Sequence, residues 1–323
     1  MSPQLPVIDV TPLLEGDSVR SRSTIKDISS ALKDLGVFYA TGHGISQERV
    51  RLILQHTRDF FNLSQEKKAR LSYKKNEGYR GYLHFGSEQT AGQVDVKEGM
   101  LFGSECQNMS LMYGHNVFPE ADDIPTFKED IVDFMDSLNE LGKVISRAFF
   151  MEFEAGDSFF KSAFNPPFYI FNLWHYPSNS DSSKFGIGQH TDYEAFTFLL
   201  QDDVGGLQVQ KKDGSWIDVP PIQGTVLVMI GDAIESWTKG LYKAPVHRVK
   251  NTTSQSRYSM AFFFQPNLET VIKPMDIPEI LKRNFVPTRK DIKLPYHYGQ
   301  QLYKNYCQSF GVIEHAVDST TIQ

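Results

Sequence analysis

The segment GIGQHTDYEAF carries His190, Thr191 and Asp192, and KAPVHRV supplies His247 far downstream. Two imidazoles and one carboxylate are the ligand set that holds non-haem Fe(II) on one face and leaves the other face open. An HxD pair alone is common in ordinary cores and surfaces; a third ligand on a separate segment is what makes it informative. In a strand, residues i and i+2 project to one side. His190 and Asp192 can therefore reach one metal together while Thr191 faces away. His247 must then arrive on a distant strand folded back beside the first, and residues 242–249 read as that strand with a loop before it. Arg257 and Ser259 in SQSRYSMAFFF obey the same parity, so both can meet one carboxylate.

The surrounding texture fits a sheet-rich core behind a mixed first third. Ile25, Ile28, Leu32 and Leu35 recur at helical spacing, and Gly36 suits the helix stop. Residues 37–40 read as a short strand. Ser46 offers an N-cap to a helix burying Val50, Ile53, Thr57 and Phe60. Residues 74–103 read as irregular or extended. After Pro125, Phe127, Ile131, Phe134, Leu138, Leu141, Ile145 and Phe149 make one apolar stripe on a helix of about seven turns. Glu154, Ala155, Gly156 and Asp157 are its expected end. A coiled-coil seam is the other reading of the stripe; a core helix buttressing a sheet agrees better with the globular chain around it. Residues 168–265 change to short strands and turns: KKDGSW signals a hairpin, and GTVLVMIGD a buried strand followed by a turn. So many short strands suggest a jelly roll or barrel. After Pro266 the chain reads as linker, then a helix over 300–309, then a polar tail.

Composition bounds the partners. Among 323 residues the net charge is −6, without a run of Lys or Arg, so nucleic acid is not expected as a partner. Apolar residues make up 40% and no run reaches the length of a membrane span. The start lacks a signal-peptide pattern, and Cys106 and Cys307 give neither a disulfide framework nor zinc spacing. The expected compartment is the reducing cytoplasm. The 24 Phe fit a bulky core better than an aromatic-lined pocket.

With these motifs in place, the chain resembles the 2-oxoglutarate- and Fe(II)-dependent dioxygenases of the isopenicillin N synthase-like family. The resemblance runs from LPVIDVTPLL and LGVFYATGHGI, through WHYPSNSDSSKFGIGQHTD, to the stretch from QDDVGG to HRV and the RYS motif. It implies an α+β fold: a double-stranded β-helix (jelly-roll) core, an N-terminal α/β region and a long buttressing helix. The expected organisation is an N-terminal region over 1–120, then 121–323 with the core at 168–265 and a C-terminal helix, together one compact unit. It implies Fe(II) as cofactor on His190, Asp192 and His247, with 2-oxoglutarate and O2 as co-substrates and ascorbate as a stimulant. Arg257 would fork onto the far carboxylate of 2-oxoglutarate, with Ser259 adding a hydroxyl and Tyr176, before Pro177, joining Asn172 in that pocket. Trp174 stands where many relatives carry a smaller polar residue, so the pocket's detail departs from theirs. Tyr79, Tyr82, Lys97, Phe102 and Phe263 match segments that line the substrate mouth. His43, His56, His84, His115, His297 and His315 lack ligand spacing and read as surface or core residues.

Three functions follow from this set. The leading one is oxidation of a small molecule by hydroxylation, desaturation or a related outcome, releasing succinate and CO2. A second keeps the iron and drops the oxo acid, in the manner of aminocyclopropane-carboxylate oxidase and isopenicillin N synthase, or forms ethylene. A third is a ligand-binding relative without turnover, against which the intact triad argues. Substrate identity and oligomeric state are not legible.

Overall fold

The computed structural model describes residues 5–105, 112–154, 156–178, 184–250, 254–277 and 294–310. The chain starts with strand β1 (Val7–Asp9), helix α1 (Thr11–Glu15), α2 (Ser18–Asp34), β2 (Val37–Thr41), α3 (Gln47–Asn62) and α4 (Gln65–Arg70). The local signals act as expected. Asp17 caps α2 by accepting from the Val19 and Arg20 amides, and Ser46 caps α3 through the Arg49 amide. Gly36 takes a left-handed φ of 73° just past α2, and a Cβ there would lie 2.5 Å from the Lys243 carbonyl oxygen.

Residues 74–103 hold more strand than expected: β3 (Gly81–Leu83), the hairpin β4 (Gln89–Thr90) and β5 (Gln93–Val94), and β6 (Glu98–Gly103). Strand β6 is buried along its whole length, yet its sequence, EGMLFG, includes a glutamate and two glycines. The glycines admit large neighbours: a Cβ on Gly99 would sit 2.4 Å from the Trp174 ring, and one on Gly103 2.4 Å from the Arg80 guanidinium.

Helix α5 (Phe127–Phe150) buries the predicted stripe in full. Phe134 meets Phe171 and Phe149 meets Phe196, both on sheet strands, which excludes the coiled-coil reading. The helix stops at Phe150, short of the predicted end; Ala155 lies outside the described residues. Gly156 instead opens α6 (Gly156–Ala163), where a Cβ would lie 1.7 Å from the Phe150 carbonyl oxygen. Leu138 is fully buried on this stripe. Leu138→Ala should therefore cost roughly 2–5 kcal/mol of stability, read as a lower urea midpoint with an unchanged slope.

Then follow β7 (Phe168–Tyr176), β8 (Ile187–His190), β9 (Phe196–Gln201), β10 (Leu207–Gln210), β11 (Trp216–Asp218), β12 (Val226–Ile230), α7 (Asp232–Trp237), β13 (His247–Val249) and β14 (Arg257–Gln265). The larger sheet runs β1-β2-β12-β9-β14-β7-β6-β3, and the smaller β11-β10-β13-β8. Apart from the parallel β1–β2 pair, neighbours are antiparallel. The predicted KKDGSW hairpin joins β10 to β11, and GTVLVMIGD becomes β12. In β12, Val226, Val228 and Ile230 pack toward the helices while Leu227 and Met229 pack between the sheets. Burial on both faces explains its unbroken apolar run. The arrangement is an α+β fold with a jelly-roll core, α5 covering the outer face of its large sheet.

Beyond Pro266 the expected linker contains β15 (Val271–Ile272), paired with β16 (Tyr296–His297), and the expected helix appears as α8 (Tyr298–Ser309). Residues 278–293, the tail after 310, Cys106 and His315 lie outside the described residues. Among the described residues, no helix is long and apolar enough to cross a membrane.

Candidate active site

Strands β8 and β13 lie side by side in the smaller sheet, with His190 and His247 directly opposite each other. Their ring centroids are 4.2 Å apart. Oδ1 of Asp192 lies 3.6 Å from Nε2 of His190 and 3.4 Å from Nε2 of His247. Among the described residues this is the set whose metal-ligating atoms all fall within 4.8 Å of one another. Each Nδ1–H donates to a backbone carbonyl two residues back, Gly188 at 2.8 Å and Pro245 at 3.1 Å. Those bonds select the tautomer whose Nε2 lone pair faces Asp192.

The expected parity accounts for only part of this geometry. Strand β8 ends at His190, so Asp192 lies just beyond it. Its carbonyl oxygen accepts from the Asp232 amide at 2.8 Å, and its Oδ2 accepts the hydroxyl of Thr197 on β9. Thr191, expected to face away, borders the cavity. The strand expected over 242–249 shrinks to His247–Val249; Tyr242, ahead of it, is buried with its hydroxyl 2.7 Å from Ser29 Oγ. Thr197 was not anticipated; a lone hydroxyl inside FTFLL was its signal in the sequence.

The electrostatics suit a cation. Burial pushes His247 down to about 4, leaving a neutral imidazole. Burial works against the charge of Asp192 as well, but the two imidazoles and the Thr197 hydroxyl outweigh it and hold the carboxyl below its usual range. At His190 burial also opposes protonation, and Asp192 overrides it, raising the imidazole above its ordinary value. A metal would take the place of that proton. Thr197→Val should weaken metal binding about 10–100-fold with the fold retained, since such supporting bonds orient the ligand; equilibrium dialysis against Fe(II) under argon measures it.

At the start of β14, Arg257 is fully buried. It donates to Ser259 Oγ at 3.2 Å and Gln201 Oε1 at 2.9 Å, and its guanidinium stands 4.8 Å from the Tyr176 ring centre. No carboxylate among the described residues pairs with it, and its Nε has no partner there. Gln201 is a further residue the sequence reading missed. Gly186 allows Tyr176 its position, as a Cβ there would lie 2.5 Å from the ring.

A cavity of about 310 Å³ opens beside His190 and Asp192. Asn172, Lys97 and Phe263 reach its wall, and the buried Oδ1 of Asn172 has no partner among the described residues. Trp174 also stands on the wall, opposite Ser259 in register, while Arg257, Ser259 and Tyr176 are not among its lining residues. The Lys97 ammonium lies 4.1 Å over the Trp174 ring, 2.6 Å from Glu88 and 3.5 Å from Asp95. Tyr79 stands one layer back, stacked on the wall residue Phe310 at 5.1 Å. Tyr82 and Phe102 do not reach the cavity. Tyr82 donates to Glu98 at 2.6 Å inside the helix-side core, and Phe102 stacks there on Phe118. Glu194, Tyr193, Tyr306 and Phe310 line the cavity without having been anticipated.

A facial cluster of two histidines and an aspartate in a jelly roll, beside a buried arginine, defines the class of non-haem iron oxygenases. The comparisons agree. The 2OG-Fe(II) oxygenase superfamily model matches residues 167–266, and that of the non-haem dioxygenase in morphine synthesis N-terminal region matches 5–121. The chain is 33% identical to a 1-aminocyclopropane-1-carboxylate oxidase of Dictyostelium discoideum, covering 84% of each. It is 31% identical to a homoarginine-6-hydroxylase of Glycine max, covering 84% of this chain and 88% of the relative. The crystal structure of a full-length Neurospora crassa protein in complex with alpha-KG superposes with a TM-score of 0.79 at 28% identity, over 93% of this chain and 95% of that one. The chain belongs to the 2OG-Fe(II) oxygenase superfamily. It is an oxidoreductase whose family cofactor and co-substrate are Fe(II) and 2-oxoglutarate, and the donor set present fits both.

Proposed function

We propose that this dioxygenase oxidises a small molecule held in the cavity beside His190 and Asp192, by hydroxylation, desaturation or a related outcome. His190, Asp192 and His247 hold the iron. Arg257 receives the far carboxylate of 2-oxoglutarate with Ser259, and Tyr176 and Asn172 complete that pocket. Bound iron and 2-oxoglutarate supply oxygen activation, in which the co-substrate leaves as succinate and CO2. The protein's own residues orient the reactants and exclude water. The carrying observation is Arg257: a fully buried guanidinium that, among the described residues, forms no salt bridge, in the same jelly roll as a ready metal triad. A buried charge left unpaired is costly, and a dicarboxylate chelating the metal would bring its second carboxylate to it.

The test is anaerobic titration of the Fe(II) protein with 2-oxoglutarate. A weak visible charge-transfer band should develop, and N-oxalylglycine, of the same length and charge, should compete for the site. Absence of both would overturn the reading. Similarity to an aminocyclopropane-carboxylate oxidase favours one second reading, an iron oxidase that does not use the oxo acid. Substrate-dependent O2 uptake that ignores added 2-oxoglutarate would establish it. A metabolite screen for substrate-stimulated succinate formation addresses the substrate.

A further inference from the structure

Strand β8 lies at the edge of the smaller sheet, and its pairing with β13 is irregular. Ile187 stands opposite Val249 and His190 opposite His247, so β8 uses one residue more than β13 over this span. The extra residue makes a bulge at Gly188 and Gln189. Side chains alternate along a strand, so residues three apart would face opposite sides without it. With it, Ile187 and His190 both reach the cavity.

A side chain from a distant part of the sequence holds this bulge. Asp95 directly follows β5 and is 3% exposed. Its Oδ1 accepts the Gly188 N–H at 3.2 Å. The carbonyl of the same Gly188 accepts the Nδ1–H of His190 at 2.8 Å. Asp95 is itself fixed. Its Oδ2 accepts the Thr90 hydroxyl at 2.8 Å, and the Lys97 ammonium lies 3.5 Å away. Its amide donates to the Glu88 carbonyl at 3.1 Å, and that of Val96 to the Phe185 carbonyl at 3.1 Å. Gly188 lets the hairpin come this close, as a Cβ there would lie 2.9 Å from the Thr90 carbonyl oxygen. Glu88, Thr90 and Lys97 also line the cavity, so one frame carries a cavity wall and the aim of His190.

We propose that Asp95 is a positioning residue for the metal: through Gly188 it fixes the bulge that turns His190 toward Asp192 and His247. This rests on the triad reading above. Without the carboxylate, the buried Gly188 N–H would lack its acceptor, and the imidazole would lose its fixed aim. Lys97 would keep Glu88 at 2.6 Å, so removing Asp95 orphans no charge.

The test is equilibrium dialysis of the full chain against Fe(II) under argon, followed by the visible band that 2-oxoglutarate develops. Asp95→Leu keeps the branched shape and loses the acceptor. Its Fe(II) affinity should fall about ten-fold, the lower end of what losing a bond that supports a ligand costs. The band should shift or weaken even at saturating iron. Asp95→Asn keeps an acceptor and should stay close to wild type. Leu138→Ala, destabilised in the helix-side core, should leave both readouts unmoved. Wild-type affinity and band in Asp95→Leu would overturn the proposal. So would an equal loss in Asp95→Asn or in Leu138→Ala. Circular dichroism checks folding, and Asp95→Ala carries the comparison if Asp95→Leu does not fold. His190→Ala separates the two readings. If it keeps wild-type Fe(II) affinity, the triad reading fails; if it loses affinity while Asp95→Leu does not, this inference alone fails.

Discussion

His247→Ala should lose essentially all oxygenase activity and bind Fe(II) far more weakly than the wild type, with the fold preserved. His247 opens β13 directly across from His190, so its removal leaves two ligands where three atoms now converge within 4.8 Å. Loss of a bond that merely supports a ligand costs about 10–100-fold in affinity, and loss of the ligand itself should exceed that. The neighbouring strand pairs do not depend on the imidazole, because β13 is held through its backbone by β10 and β8. Equilibrium dialysis against Fe(II), with circular dichroism as the folding control, measures both halves. His190→Ala and Asp192→Ala should behave alike, since the three act as one unit. A His247→Ala protein that keeps full activity would remove the triad assignment.

How much of this centre the sequence disclosed depends on the range of each signal. The two histidines were legible because metal ligation demands a residue type and cross-strand pairing demands a return strand. Asp192 was legible for a partly mistaken reason: its place owes as much to Thr197 and the Asp232 amide as to strand parity. The α5 stripe was legible because one face of a long helix repeats itself many times. Strand β6 was missed because its glycines and Glu98 answer to Trp174, Arg80 and Lys68, partners distant in sequence. That miss carried over to the cavity. Lys97 directly precedes β6 and reaches the cavity, whereas Phe102 on the strand faces the opposite core with Met100, so the two could not share a wall. Tyr306 and Phe310 come to the cavity only because α8 folds back over it, a contact with no local signature.

Arg257 gives the other large effect, and its two consequences run in opposite directions. Arg257→Lys keeps a charge but loses the fork, and a hydrogen bond to a charged group contributes roughly 1.5–3 kcal/mol. Apparent 2-oxoglutarate affinity should fall about ten-fold or more, while Fe(II) affinity stays close to wild type. Arg257→Met should go further and lose the charge-transfer band, because the far carboxylate would be buried without a partner. Stability of the protein without co-substrate should move the other way. The guanidinium is fully buried, bonded to neutral Ser259 and Gln201 and stacked by Tyr176, and among the described residues no carboxylate forms a salt bridge with it. Exchanging buried charge for an apolar side chain of similar volume is often neutral or stabilising. Thermal melts should therefore show Arg257→Met no less stable than wild type when both lack 2-oxoglutarate. Saturating 2-oxoglutarate with iron under argon should raise the wild-type midpoint by mass action and leave that of Arg257→Met nearly unmoved. A variant that melts much lower without ligand would make Arg257 a structural cation. A variant that retains the ligand-induced shift would place the carboxylate elsewhere.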